Sequence, residues 1–249
     1  MTIEISEEAG VRSLHFGSTW VQGAMRIARP WALELDYTRE MMASLLLRDA
    51  PGWPRRVLLI GLGAGSLTKF LYRHRPQATL TVVEIEPAVV AAARQYFKLP
   101  DDDVRIHIES GDGADYVART KARFDLILVD GYDADARTGR LDSLPFYLDC
   151  KAHLSDDGLL AVNLLSRRKD FRNSVERLAQ AFDERTLVFP SCASGNVIAF
   201  AATGEAIGLT LAELKTAALT LKKETGLNLL PTLVGLEQAR TCSEGRLLL

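Results

Sequence analysis

Residues 55–87, RRVLLIGLGAGSLTKFLYRHRPQATLTVVEIEP, restrict this chain more than any other stretch. Residues 57–60 are an unbroken apolar run, the pattern of a strand buried on both faces of a parallel sheet. The run enters Gly61, Gly63 and Gly65, after which Leu67, Phe70 and Leu71 recur at helical spacing. Glycines at such a junction allow a sharp turn and let bare backbone approach a ligand at the helix N-terminus. A second strand, 80–83, ends in Glu84. It lies about 20 residues beyond the glycines, where a carboxylate can accept both hydroxyls of a ribose. Strand, glycine loop, helix, strand and acid together define the nucleoside-binding half of a doubly wound, Rossmann-like α/β sheet.

The rest of the chain extends that unit. Short apolar alternations at 2–5, 13–16 and 20–25 predict a small N-terminal β appendage over residues 1–30, leaving 31–249 as one nucleoside-binding domain. Leu33, Tyr37, Met41 and Leu45 predict one helix over 33–47, stopped by Pro51, Gly52 and Pro54. Pro87 suits the first turn of the next helix. A third strand is expected at 104–108, running into Gly111, Asp112 and Gly113 ahead of a helix at 114–119. A fourth, 124–129, ends in Asp130-Gly131-Tyr132-Asp133. A helix around 146–154 and a fifth strand at 158–164 follow, and 187–190 with 196–201 read as an antiparallel pair closing the sheet. A helix is expected at 210–224, and the last stretch shows no clear pattern.

Composition removes several function classes. With 47% apolar and 25% charged residues and a net charge of −2, nothing favours nucleic acid or an anionic membrane as partner. No apolar run approaches the ~20 residues of a membrane span, and the first residues lack the basic and apolar regions of a signal peptide, so the expected compartment is the cytoplasm. Cys150, Cys192 and Cys242 are odd in number and far apart, and His15, His74, His107 and His153 keep no ligand spacing. Neither a disulfide frame nor a metal site is indicated.

In an open α/β sheet, ligands bind beyond the carboxyl ends of the strands. Four consecutive strand tips carry useful groups there: the glycine loop, Glu84, Asp112, and Asp130 with Asp133. Asp112, just before a helix, reads equally as an N-cap. Asp130 and Asp133 form the expected reaction centre. Two carboxylates on one loop can bind a cationic amine, and one can take its proton, which an ammonium must lose before it has a lone pair to attack with. Tyr132 offers a ring face or a hydroxyl between them. The bland alternative is a solvated acidic turn, given Asp135 and Asp142 nearby.

At these residues the sequence resembles the spermidine synthase (polyamine aminopropyltransferase) family, which shares its core with class I methyltransferases. The resemblance spans roughly residues 14–202. It rests on Val21-Gln22, the 61–66 loop, Val83-Glu84-Ile85-Glu86-Pro87 with Tyr96-Phe97, Gly111-Asp112-Gly113, the Asp130–Asp133 loop, and the 190–200 segment. It implies a class I methyltransferase-type, mostly parallel sheet with an antiparallel C-terminal strand. It also implies that Glu84 holds the ribose, that Asp112 and Gly113 meet the adenine, and that Gln22 faces the aminopropyl side of the donor. Gly61, Gly63, Gly65 and Asp130 would complete the donor site, and Asp130 and Asp133 would bind and deprotonate the acceptor amine. The implied reaction moves an aminopropyl group from decarboxylated S-adenosylmethionine to a small amine, with no tightly bound cofactor, and paired subunits are common in the family.

Three departures stand out. Where the family's glycine loop carries an acid that grips the donor's ammonium, this chain has Ala64. The family's tyrosine-containing segment is loosely matched by Tyr37-Thr38-Arg39-Glu40. After the fifth strand, Arg167-Arg168-Lys169 follow Asn163 where the family has aromatic and acidic groups. The rival readings are a methyltransferase using intact S-adenosylmethionine and a non-catalytic adenosyl-ligand-binding protein. An NAD-dependent oxidoreductase is disfavoured by the alternating Gly61, Gly63 and Gly65.

Overall fold

The computed structural model describes every residue except 1, 19, 49, 134, 240, 243 and 244. Three antiparallel strands open the chain, β1 (Glu4–Glu8), β2 (Val11–His15) and β3 (Val21–Arg26), followed by α1 (Asp36–Met41) and α2 (Ser44–Leu47). Alternating elements come next: β4 (Arg56–Ile60), α3 (Ser66–His74), β5 (Thr79–Glu84), α4 (Pro87–Tyr96), β6 (Ile106–Ser110), α5 (Gly113–Arg119) and β7 (Phe124–Val129). Then follow α6 (Leu144–His153), β8 (Leu154–Leu165), α7 (Phe171–Ala181), β9 (Thr186–Val188) and β10 (Asn196–Ala202). The chain ends in β11 (Gly208–Thr210), α8 (Leu211–Thr225), α9 (Leu230–Gln238) and β12 (Arg246–Leu248).

The main sheet has the order β6-β5-β4-β7-β8-β10-β9. Neighbours from β6 through β8 are parallel, and β10 runs antiparallel to both β8 and β9. The chain winds outward from β4 to β6, then returns to β7 on the other side of β4. The switch point therefore falls between β4 and β7. The apolar run in β4 is continuous because both faces are covered. Val57 and Leu59 enter one core layer, Leu58 and Ile60 the other, all at most 2% exposed. Each such side chain contributes about 1.5–3 kcal/mol by burial.

The N-terminal sheet lies over the glycine loop. Ser66 Oγ donates to Ala24 O at 3.1 Å, and Arg12 donates to Tyr96 O, tying β3 and β2 to the first and second helices of the nucleoside half.

Several expected boundaries move. The third strand starts at Ile106 rather than 104, because Asp102 Oδ1 accepts from Val104 N and Arg105 N and holds both in a turn. Val104 is accordingly 81% exposed. The helix expected over 33–47 is two helices, separated where Met42 N and Ala43 N bond three residues back, to Arg39 O and Glu40 O. The fifth strand begins earlier, at Leu154, with a register shift against β7 that absorbs the extra residues. Helix α7 fills a stretch to which the sequence assigns no element: Phe171, Val175 and Leu178, with Phe182 just past its end, pack it against the core. The C-terminal stretch also folds, with β12 pairing β11.

Candidate active site

A cavity of about 640 Å³ opens at the carboxyl ends of β4, β5, β6, β7 and β8. Gln22, Gly61, Gly63, Glu84, Asp112, Gly113, Asp130 and Asp133 all line it. Gly65 does not. It precedes α3 with φ +66°, and a Cβ there would meet Leu99 Cδ1 at 3.0 Å, so this glycine serves the turn into the helix rather than the cavity wall. At Gly61 the requirement is different. A Cβ would lie 2.2 Å from Asp130 O, so glycine lets the β4 and β7 tips close on each other.

Glu84 and Asp112 are set by backbone. Glu84 is only 7% exposed; its Oε2 accepts from Leu62 N at 2.8 Å and its Oε1 from Glu86 N at 3.0 Å. Burial pushes its carboxyl upward, and the backbone N–H groups of Leu62, Glu86 and Ile85 oppose that rise. Each oxygen keeps a lone pair for a further donor. Asp112 caps α5 through Oδ1, which accepts from Ala114 N at 2.7 Å and Asp115 N at 3.1 Å. The capping reading therefore holds, and the residue still lines the cavity.

The two acids of the β7 loop differ from each other. Asp130 is enclosed: Tyr37 OH donates to its Oδ2 at 3.0 Å, and Asn163 Nδ2 donates to its Oδ1 at 2.8 Å. Burial raises its carboxyl, with the Asn163 and Tyr37 hydrogen bonds pulling the other way. Burial also raises the Tyr37 hydroxyl well above its ordinary value, and the Asp130 charge adds to that. Asp133 is exposed, and its Oδ1 is used by its own loop, accepting from Asp135 N at 2.9 Å and Arg137 N at 2.8 Å. Tyr132 also lines the cavity, and its hydroxyl donates to Asn163 O at 2.6 Å.

Tyr37, Asn163 and Asn196 complete this network and were not among the predicted site residues. Tyr37 carries a signal in the loosely matched segment before β4, but the asparagines sit in apolar strands and carry none. Ala64 is 2% exposed and absent from the cavity lining, with its Cβ set against the backbone of Gly23 in β3. None of Arg167, Arg168 and Lys169 lines the cavity, and Arg168 is paired with Asp170 at 2.8 Å. Among the described residues no cluster of His, Cys, Asp and Glu is placed to hold a metal ion, and no helix is long and apolar enough to cross a membrane.

A doubly wound sheet with acids at successive strand tips defines the class I methyltransferase-like nucleoside-binding proteins. Within it, the spermine/spermidine synthase domain matches residues 35–206, and the chain belongs to that family. A polyamine aminopropyltransferase from Neisseria meningitidis serogroup A is 37% identical over 235 residues, covering 94% of this chain and 89% of the relative. A probable spermidine synthase from Corynebacterium glutamicum superposes with a TM-score of 0.73 at 18% identity over 91% of each chain. Human methyltransferase-like protein 13, solved in complex with SAH, gives 0.68 at 25% identity, covering 78% of this chain and 93% of that one.

Proposed function

We propose that this protein transfers an aminopropyl group from decarboxylated S-adenosylmethionine to a primary amine, releasing methylthioadenosine. The observation that carries the reading is one cavity shared by Glu84, with a free lone pair on each oxygen, and the Asp130–Asp133 loop, in a chain of the spermine/spermidine synthase family. In this reading Glu84 holds the ribose hydroxyls, Asp112 and Gly113 meet the adenine, Gln22 faces the donor's tail, and Gly61 and Gly63 let backbone approach it. The amine sits between Asp130 and Asp133. Its nitrogen attacks the carbon next to the sulfonium, the C–N bond forms as the C–S bond breaks, and the electron pair leaves with neutral methylthioadenosine. The proton passes to Asp130, whose upward shift is the direction a general base needs. The sulfonium already activates the carbon, so the protein contributes mainly alignment and proton removal.

A second reading is a methyltransferase using intact S-adenosylmethionine. The likeness to human methyltransferase-like protein 13, solved with SAH, favours it. Calorimetric titration with both donors and with methylthioadenosine separates the two. The aminopropyl reading expects methylthioadenosine and the decarboxylated donor to bind, and a preference of about a thousandfold for the decarboxylated donor would strengthen it. Binding of intact S-adenosylmethionine alone would favour methyl transfer.

A further inference from the structure

The cavity continues past Asp130 toward the ends of β8 and β10, and its chemistry changes there. Asn163, Leu165, Ser194 and Asn196 line that end. The polar three form one chain: Ser194 Oγ donates to Asn196 Oδ1 at 2.6 Å, Asn196 Nδ2 to Asn163 Oδ1 at 2.8 Å, and Asn163 Nδ2 to Asp130 Oδ1 at 2.8 Å. A carboxylate only accepts, so Asp130 fixes the direction of every amide in the chain. The chain thus runs from a charged acceptor to a neutral hydroxyl.

No carboxylate belongs to this wall among the described residues. Glu34 and Asp36 face the cavity from the segment at the start of α1, and each already has an arginine: Arg26 on Glu34, and Arg39 on Asp36 at 3.0 Å. Arg137 lines the cavity from the Asp133 loop and is paired with Asp135 at 3.7 Å.

We propose, building on the aminopropyl reading above, that the acceptor is a primary amine whose far end is an uncharged hydrogen-bonding group, such as the hydroxyl of an amino alcohol, rather than a second ammonium. Asp130 and Asp133 account for one ammonium. A second would lose its water against neutral amides, with no carboxylate on that wall to meet it. A hydroxyl both donates and accepts, so Ser194 Oγ and the second hydrogen of Asn196 Nδ2 can satisfy it.

The test is titration of the protein saturated with methylthioadenosine, using aminobutanol, diaminobutane and aminobutyrate as probes. Aminobutanol should bind at least about tenfold more tightly than diaminobutane. Equal or tighter binding of diaminobutane, tightest binding of aminobutyrate, or binding of none of the three would overturn the proposal. Failure of methylthioadenosine itself to bind would instead overturn the aminopropyl reading. Asn196→Asp places a carboxylate on the wall and should swing the ratio toward diaminobutane by about tenfold or more. An unchanged ratio in the folded variant also overturns the proposal. If Asn196→Asp does not fold, Ser194→Asp, on the loop entering β10, makes the same charge change with the same two outcomes.

Discussion

The two ends of the cavity, proposed above to take the donor and the acceptor, are built in different ways. At the donor end, Glu84 and Asp112 are held by backbone N–H groups of Leu62, Glu86, Ala114 and Asp115, all within one stretch of alternating strands and helices. These bonds form whenever that unit folds. At the acceptor end, Asp130 is held by side chains from Tyr37 and Asn163, 93 and 33 residues away in sequence. That network needs α1, β7, β8 and β10 to be packed correctly. On the proposed reading, ribose and adenine binding is a property of the unit, whereas acceptor chemistry is a property of the whole domain.

The largest expected effect comes from Asp130→Asn, which keeps shape and removes the base. Turnover should fall by ~10²–10⁴, the usual cost of a lost general base. Affinity for methylthioadenosine, measured by calorimetry, should hold. Loss of donor binding with unchanged turnover per bound donor would break the division between the two ends.

Glu84→Ala probes the other side. It removes charged hydrogen bonds worth about 1.5–3 kcal/mol, so donor affinity should fall roughly ten- to a hundredfold. A folded variant that binds methylthioadenosine like the parent would remove Glu84 from the donor site.

Tyr37→Phe sharpens the comparison through pH. The tyrosine hydroxyl stabilises the charged form of Asp130, so deleting it raises the carboxyl further. The acid limb of the rate profile should move to higher pH, with donor affinity unaffected. An unmoved limb would mean that Asp130 is not the group being titrated.

The smallest effect concerns Lys69, 1% exposed, whose Nζ donates to Phe97 O at 2.7 Å between α3 and the end of α4. Burial lowers its ammonium from 10.5 to about 8, with Lys98 adding to the shift. Between those values the unfolded chain binds the proton that the folded protein has released, so stability should rise with pH across that window, by no more than ~1.4 kcal/mol per unit. Below about 8 both states are charged and the gain is absent. Urea denaturation on either side of the window should show the rise in the parent and its loss in Lys69→Met.

The same contrast explains how far the sequence could be read. β4, β5 and the acids beyond them were legible because buried parallel strands write themselves as apolar runs and their tips as glycine or acid. Asp130 and Asp133 were legible as a pair, but not their inequality: nothing local says that one is enclosed by Tyr37 and the other turned onto its own loop. Asn163 and Asn196 look like polar interruptions in β8 and β10, and only the register that places Asn163 opposite Ile198 and Asn196 opposite Leu165 brings them together. Gly65 misled because a glycine needed for φ +66° looks the same in sequence as one needed for ligand approach. Helix α7 was hidden because small or polar residues, Ser174, Ala179 and Ala181, fill most of its buried positions.

The central claim is that one cavity moves an aminopropyl group. It is tested most directly by supplying the protein with both intact and decarboxylated S-adenosylmethionine and a set of primary amines, then identifying the nucleoside product. Methylthioadenosine, formed in step with an amine lengthened by three carbons and one nitrogen, is the predicted result. S-adenosylhomocysteine, formed in step with a methylated acceptor while the decarboxylated donor persists, would contradict it.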